Sequence, residues 1–224
     1  KIDLVMHLAG LCSVDESVKH PELYLKNNSQ GTLNLLEVMD DMGVKKIIFS
    51  STCAVYGNAE YLPIDESHST KPENPYGESK LRAEEKIEQF GKLHDFDYVI
   101  FRYFNVCGAD SDGEIGDSKK PSLLLVQNAV RGALGIEDFK LTCPTVDTRD
   151  GTPIRDYIDV LDVVQAHLRA LEYLSDGSGN AILNIGSSKG WSVKEILDTV
   201  KKDLKVEFEV KENNDLRQGE YKEV

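Results

Sequence analysis

The sequence lacks the features that mark several large classes of protein. Only four of its 224 residues are cysteines and no two of them form a C-x-x-C pair, which argues against a disulfide framework and a cysteine zinc site. No apolar run approaches the roughly 18 residues of a membrane span. The net charge of -13 repels nucleic-acid phosphates. We therefore expect a globular, cytoplasmic protein with reduced thiols and with neither a nucleic-acid nor a membrane partner.

Metal-ligand spacing is also missing. The five histidines are scattered along the chain, and they do not recur at the short intervals that zinc sites use. We therefore predict no metal site.

The chain does contain a regular alternation of secondary-structure patterns. Buried-strand and amphipathic-helix patterns follow one another in the order strand, helix, strand, helix, strand at 3–9, 21–42, 44–49, 76–93 and 97–101. This order predicts a parallel sheet covered by helices. From 105 to 153 glycines and prolines interrupt the alternation, and we expect a substrate-binding region there. Strand and helix patterns then resume, ending in a helix that Ser192 and Glu195 should open with a capping box.

The sharpest motif is the run Tyr76-Gly77-Glu78-Ser79-Lys80. Residues four apart on a helix share a face, so Tyr76 and Lys80 can address one ligand. A tyrosine acts as a base at neutral pH only if its pKa falls by about 3, and a nearby ammonium shifts it in that direction. The alternative is that both residues lie on a solvated helix face.

A hydroxyl cluster, Ser50-Ser51-Thr52, follows the second strand pattern. Open α/β sheets bind ligands at the carboxyl ends of their strands. Thr52 can therefore contact the same ligand oxygen as Tyr76. The alternative is that the cluster only satisfies loop backbone groups.

Seven segments together resemble the UDP-glucose (UDP-galactose) 4-epimerase family of extended short-chain dehydrogenases/reductases. In chain order they are HLAGLCSVDESV, NNSQGTLNLLEVM, FSSTCAVYG, NPYGESK, FRYFNVCGAD, GTPIRDYIDVLDV and LNIGSSKGWSV. The resemblance covers nearly the whole chain. It implies an NAD-dependent isomerase of galactose metabolism that inverts the C4 hydroxyl of a UDP-hexose through a transient 4-keto intermediate.

The resemblance implies a fold and its division. The fold class is α/β, with a Rossmann-like doubly wound parallel sheet that lacks its first strands and a smaller C-terminal substrate-binding region. Residues 1–104 would be the remainder of the NAD-binding domain, 154–174 would return to it, and 105–224 would mainly bind substrate. A homodimer is implied as well.

The resemblance also assigns catalytic and cofactor roles. Tyr76 would be the base, Lys80 would lower its pKa and hold the nicotinamide ribose, and Thr52 would bond the sugar 4-oxygen. The cofactor contacts would be completed by Ala9, Gly10, Asn27 and Tyr103.

Substrate contacts are implied towards the end of the chain. Asn105, Arg155 and Arg217 would grip the diphosphate, Glu220 would lie near the ribose, and Val224 would face the sugar 2-substituent. The arginine fork suits phosphate oxygens, although a surface ion pair is the alternative for either arginine. Since valine is small, Val224 predicts room for an N-acetyl group.

The sequence departs from the family in three places. Cys12 replaces a lysine, and Glu220 replaces an aspartate. No Gly-rich phosphate loop occurs in the chain. By comparison with the family, we expect the chain as printed to lack about seventy residues before Lys1 and a closing segment after Val224. Since the loop and helix N-terminus of the family's first segment hold the pyrophosphate, we expect this chain to bind NAD weakly.

The reaction type depends on the two residues after Thr52. Related dehydratases place acidic groups there, since eliminating water needs an added acid or base, whereas this chain has Cys53 and Ala54. This favours epimerisation. A dehydratase or reductase of the same fold and a non-catalytic binding protein are the alternatives.

Overall fold

The computed structural model describes residues 1–119, 122, 124–143, 145–212 and 222–223. The β-strands in chain order are β1 Val5–His7, β2 Lys46–Thr52, β3 Asp97–Tyr103, β4 Asn105–Cys107, β5 Phe139–Leu141, β6 Ile154–Asp159, β7 Ala181–Ile185, β8 Gly190–Ser192 and β9 Val210–Glu212. The α-helices are α1 Val14–Lys19, α2 Pro21–Tyr24, α3 Gly31–Asp41, α4 Pro75–His94, α5 Leu125–Ala133, α6 Val160–Ser175 and α7 Val193–Leu204. A π-helical turn spans Leu25–Gln30, and a 3₁₀ turn spans Cys53–Val55.

The chain divides into two compact units. The first comprises Lys1–Phe104 and Val163–Ile185, and the second comprises Asn105–Asp162 and Gly186–Val224. The sequence instead assigns 154–174 to the first unit. β6 belongs to the second unit because it pairs with β4 and β8, whereas β7 belongs to the first because it pairs with β3.

The first unit is built on a parallel sheet in the order β1-β2-β3-β7. Alternate side chains of β2 point to opposite faces. Ile47 and Phe49 pack with buried residues of α3 and α4, whereas Ile48 packs with buried residues of α6. Both faces of the sheet are therefore covered, and the predicted α/β class with a parallel sheet is confirmed.

Two predicted elements differ in extent. The pattern predicts a strand over 44–49, whereas β2 continues to Thr52 because its polar end residues pair with β3. The single helix predicted over 21–42 is interrupted by the π-helical turn. Within that turn Asn28 is buried and bonds to Leu11 and Ser79, contacts that a sequence pattern does not encode.

The described residues of the second unit form two smaller sheets. One has the order β4-β6-β8, and the other pairs β5 with β9. Ser192 caps helix α7: its hydroxyl accepts from the Glu195 amide while the Glu195 carboxylate accepts from the Ser192 amide. The predicted capping box is present. Buried residues of α5 and α7 pack around Phe139 to form the core of this unit.

Candidate active site

The N-terminus of α4 is held tightly against the end of β2. Asn74 caps the helix by accepting from the Gly77 amide at 2.9 Å, and Pro75 occupies its first turn. A Cβ on Gly77 would lie 2.5 Å from the carbonyl oxygen of Ala54. Only glycine permits this approach, and it brings the neighbouring Tyr76 to the turn that follows β2.

Tyr76 and Thr52 meet at this point. The Thr52 hydroxyl makes a side-chain hydrogen bond to the Tyr76 phenol, and it accepts from the Ala54 amide at 3.2 Å. The ring of Tyr24 lies edge-on to that of Tyr76 with centroids 6.4 Å apart. Two hydroxyls are thus paired at the carboxyl end of a parallel strand, the edge where such sheets bind ligands.

Lys80 lies one turn further along α4 and is only 5% exposed. Its Nζ donates to the Ser50 carbonyl oxygen at 2.8 Å and lies 4.7 Å from the centre of the Phe49 ring. Burial lowers the pKa of Lys80 to about 8. A proton on this amine therefore exchanges near physiological pH.

The pKa of Tyr76 differs from the sequence expectation. The motif predicts that Lys80 lowers it, whereas in the structure burial raises the Tyr76 pKa above its ordinary value and outweighs the hydrogen bond from Thr52. The reason is that the Lys80 ammonium is directed at the Ser50 carbonyl. A phenol in this environment binds a proton firmly, so losing one requires positive charge beside it.

Tyr103 ends β3 beside Thr52 in the sheet register. Its hydroxyl lies 3.0 Å from Ser50 Oγ and 2.9 Å from His167 Nε2. The other ring nitrogen of His167, Nδ1, lies 2.9 Å from the Val163 carbonyl oxygen. Because a carbonyl oxygen can only accept a hydrogen bond, Nδ1 carries a proton. Nε2 then accepts from Tyr103, and burial raises the pKa of Tyr103 to about 12.

Gly10, after β1, lets two polar side chains pack closely against the backbone. A Cβ there would lie 3.1 Å from Asn28 Oδ1 and 3.3 Å from Lys80 Nζ. Glycine permits this close approach because it has no side chain. Gly10, Ala9 and Asn27 are exposed, so these three predicted cofactor contacts are accessible.

Asn105 and Arg155 lie in the second unit and line the same cavity. Its volume is about 160 Å³. Arg155 Nη1 donates to the Ile154 carbonyl oxygen at 2.7 Å. Apolar side chains form much of the cavity wall, namely Leu125, Phe139, Leu141, Pro153 and Val193. The structure thus brings together two of the predicted substrate-binding residues.

Three predicted residues, Arg217, Glu220 and Val224, lie outside the described residues. Among the residues that are described, no group of three or more His, Cys, Asp or Glu side chains could hold a metal ion. In the same part of the chain no helix has the length and apolar character of a membrane span.

Sequence reasoning missed two residues of this site. Asn28, rather than the neighbouring Asn27, is the buried asparagine that links the end of β1 to α4. His167 supports Tyr103. Its position on the inner face of an amphipathic helix was a usable signal, because a buried histidine needs hydrogen-bond partners.

Fold and site together define a class of protein. A parallel sheet covered by helices carries a Tyr-x-x-x-Lys pair on one helix and a hydroxyl partner at the end of a neighbouring strand. This is the arrangement of a short-chain dehydrogenase/reductase.

Comparison with known proteins places the chain within that class. The model of the NAD dependent epimerase/dehydratase family matches residues 1–186. The chain belongs to this family.

Individual relatives carry more specific names. The chain is 43% identical over 207 residues to UDP-glucose 4-epimerase of Rhizobium meliloti, covering 92% of this chain and 63% of that protein. It is 42% identical over 228 residues to putative UDP-arabinose 4-epimerase 4 of Arabidopsis thaliana, covering 99% of this chain and 52% of that protein. The crystal structure of UDP-glucose 4-epimerase from Bifidobacterium longum in complex with NAD+ and UDP superposes with a TM-score of 0.90 at 35% identity, covering 99% of this chain and 67% of that one. The chain therefore spans about three fifths or less of the length of these two curated relatives.

Proposed function

We propose that this chain carries the catalytic centre of an NAD-dependent epimerase that inverts the C4 hydroxyl of a UDP-hexose through a transient 4-keto sugar. The observation that carries the proposal is the hydrogen-bonded pair of Thr52 and Tyr76, with buried Lys80 one turn away. The names of the relatives support the substrate class.

The proton chemistry is assigned to Tyr76. Oxidising C4 removes the proton of its hydroxyl. Tyr76 would enter this step as the phenolate, its pKa lowered by the positive charge of Lys80, and take that proton while Thr52 hydrogen bonds the same sugar oxygen. The burial that raises the Tyr76 pKa favours keeping the proton on the phenol until the ketone is reduced. The proton then returns to the sugar, so the residue is regenerated within one turnover.

NAD is held, in this proposal, by Lys80, Tyr103, Asn27 and the exposed backbone at Ala9 and Gly10. Gly10 and Ala9 are exposed, and the close packing of Lys80 Nζ against Gly10 brings the lysine to this exposed backbone. Bound there, NAD would supply the acceptor for the C4 hydride and the donor for its return. Lys80 orients the ribose and adds the positive charge that eases proton loss from Tyr76.

The substrate nucleotide is assigned to Asn105 and Arg155. Their cavity joins an amide and a guanidinium to apolar walls, which suits a base and its phosphates. Arg217 and Glu220 would add diphosphate and ribose contacts, and Val224 would leave room at the sugar 2-position.

Dehydration is the less favoured reaction. It requires an acid or base besides Tyr76. The residues after Thr52 are Cys53 and Ala54, and Ala54 is buried in the turn. Neither side chain supplies a carboxylate.

We also propose that the active protein is a cytoplasmic homodimer. The sequence has only four cysteines and no C-x-x-C pair, which suits a reducing compartment. Light scattering coupled to size-exclusion chromatography tests the dimer, and a monomer mass would refute it.

The direct test is conversion of UDP-glucose to UDP-galactose by the purified protein with added NAD, followed by ion-pair chromatography. Product formation without net NADH supports the epimerase. Formation of a 4-keto-6-deoxy sugar, or nicotinamide consumption in proportion to product, would favour the dehydratase or reductase. A protein that binds UDP-glucose without turnover would be the non-catalytic alternative.

A further inference from the structure

A buried ion pair lies beneath the candidate active site of the first unit. The side chains of Glu84 and Arg102 are 1% and 6% exposed. Arg102 Nη2 donates to Glu84 Oε2 at 2.6 Å, and its Nε lies 3.2 Å from both carboxylate oxygens. Burying two charges is unfavourable unless their geometry is good, and such a pair is weak evidence for stability alone.

The pair is embedded in further hydrogen bonds. The Ser51 hydroxyl donates to the Glu84 carboxylate. Arg102 Nη1 donates to the Tyr56 hydroxyl at 3.0 Å, which donates in turn to Asn184 Oδ1 at 2.7 Å. One network therefore joins α4, β2, β3, β7 and the turn after β2.

The network members on β2 and β3 each directly precede a residue of the candidate site. Ser51 and Arg102 are register partners in the sheet, as are the next residues, Thr52 and Tyr103. Since successive strand residues point to opposite faces, Ser51 and Arg102 face α4.

Glu84, the network member on α4, is placed in the same way with respect to Lys80. Glu84 follows Lys80 by four residues, so the two lie on the same face of α4. The ion pair thus fixes the height of α4 above β2 and β3, one turn below Lys80 and two turns below Tyr76.

We propose that Glu84 and Arg102 are positioning residues that hold Tyr76 and Lys80 against Thr52. This assignment rests on the proposed function of the Tyr76 site. Neither residue touches the reacting atoms.

The ion pair also has an electrostatic consequence for Lys80. The titratable groups that face Lys80 are Glu84 on its own helix, Cys12 after β1 and His7 on β1. The negative charge of Glu84 raises the pKa of Lys80, against the larger lowering by burial that leaves it at about 8. Glu84 therefore helps to keep the lysine a cation.

The test is an NMR titration of the Lys80 side chain in protein labelled with ¹³C and ¹⁵N at lysine, with Lys80→Met to assign the signal. Glu84→Gln should lower the pKa of Lys80 by about 1, because the negative charge is lost while Arg102 remains. Glu85→Gln is the matched control, since this neighbouring glutamate is exposed, and it should leave the Lys80 pKa unchanged.

A merely structural role predicts the opposite sign. Loosening α4 would let water reach Lys80 and raise its pKa towards the ordinary value. If Glu84→Gln does not fold, the double variant Glu84→Gln/Arg102→Gln replaces the ion pair with a neutral pair, and it should also lower the Lys80 pKa. A pKa equal to or above wild type in whichever variant folds overturns the proposal.

The titration needs neither cofactor nor sugar, so its outcome is independent of whether the protein is an epimerase. Arg102→Lys supplies a second measurement in active protein. It keeps the charge but loses the planar fork, and we expect kcat to fall about 10-fold with KM unchanged. An unchanged kcat would contradict the positioning role.

Discussion

The polar side chains of the candidate site have different surroundings in the two units. In the first unit Tyr76, Lys80 and Tyr103 are partnered by other side chains or backbone carbonyls, and burial shifts all three pKa values. In the second unit Asn105 and Arg155 line a cavity whose wall combines apolar side chains with the polar side chains of Asn128 and Lys140. A buried network fixes the geometry and proton affinity of the groups proposed to react, whereas the cavity offers a shaped surface of apolar and polar groups for recognition. Variants in the first unit should change kcat, and those in the second should change KM.

The largest expected effect follows removal of the phenol oxygen. Tyr76→Phe keeps the ring but loses the proton acceptor, so kcat should fall about 10³-fold while binding of UDP-glucose stays nearly intact. Steady-state kinetics and calorimetry measure the two quantities. Tyr61→Phe is the control, because Tyr61 is 43% exposed and should keep full activity. Full activity of Tyr76→Phe would remove Tyr76 from the mechanism.

The next effect concerns Lys80. Lys80→Met removes the positive charge beside Tyr76, which makes the phenol harder to deprotonate. We expect kcat to fall about 10²-fold and the pH optimum to move upward. Lys92→Met, on the exposed side of the same helix, should change neither. A pH optimum that stays in place would show that Lys80 does not act on Tyr76.

The third prediction moves to the cavity of the second unit. Arg155→Met should raise KM for UDP-glucose about 30-fold, since a charged hydrogen bond is worth about 2 kcal/mol, and it should leave kcat unchanged. Arg149→Met is the control, because Arg149 pairs with Glu195 at the surface. A fall in kcat without a change in KM would contradict the assignment of Arg155 to substrate binding.

The pH dependence of stability should report the burial of Lys80 in the first unit. Lys80 has a folded pKa of about 8 against an ordinary value of 10.5, so between these pH values the unfolded chain holds a proton that the folded chain has released. Stability from this group therefore rises with pH across that window, by about 3 kcal/mol. Lys80→Met should lack this rise relative to wild type in urea unfolding at pH 8, 9 and 10, and Lys92→Met should retain it. Parallel curves for wild type and Lys80→Met would refute the burial of a titrating lysine.

The smallest effect concerns substrate range. Val224→Tyr should slow turnover of UDP-GlcNAc and UDP-GalNAc because the larger ring fills the space for the acetamido group, while rates on UDP-glucose and UDP-galactose stay the same. Comparing the four rates tests this. If the N-acetylated sugars react as before, Val224 does not control the pocket.

Local patterns in the sequence predicted much of the first unit. Tyr76 and Lys80 stand four apart on a helix predicted over 76–93 and observed over Pro75–His94, whereas Thr52 lies three residues past the predicted end of its strand. The pairing of Glu84 with Arg102 joins residues 18 positions apart on different elements, so no local period reveals it. The buried role of Asn28 depends on a π-helical turn, and the place of β6 in the second unit depends on strand partners far along the chain.

We propose that a hydride leaves C4 and returns to the same carbon while Tyr76 holds the proton. The most direct measurement is turnover of UDP-glucose deuterated at C4 in ordinary water, with the product examined by NMR and mass spectrometry. We expect UDP-galactose that retains deuterium at C4. Product that carries solvent hydrogen at C4, or that has lost water, would contradict it.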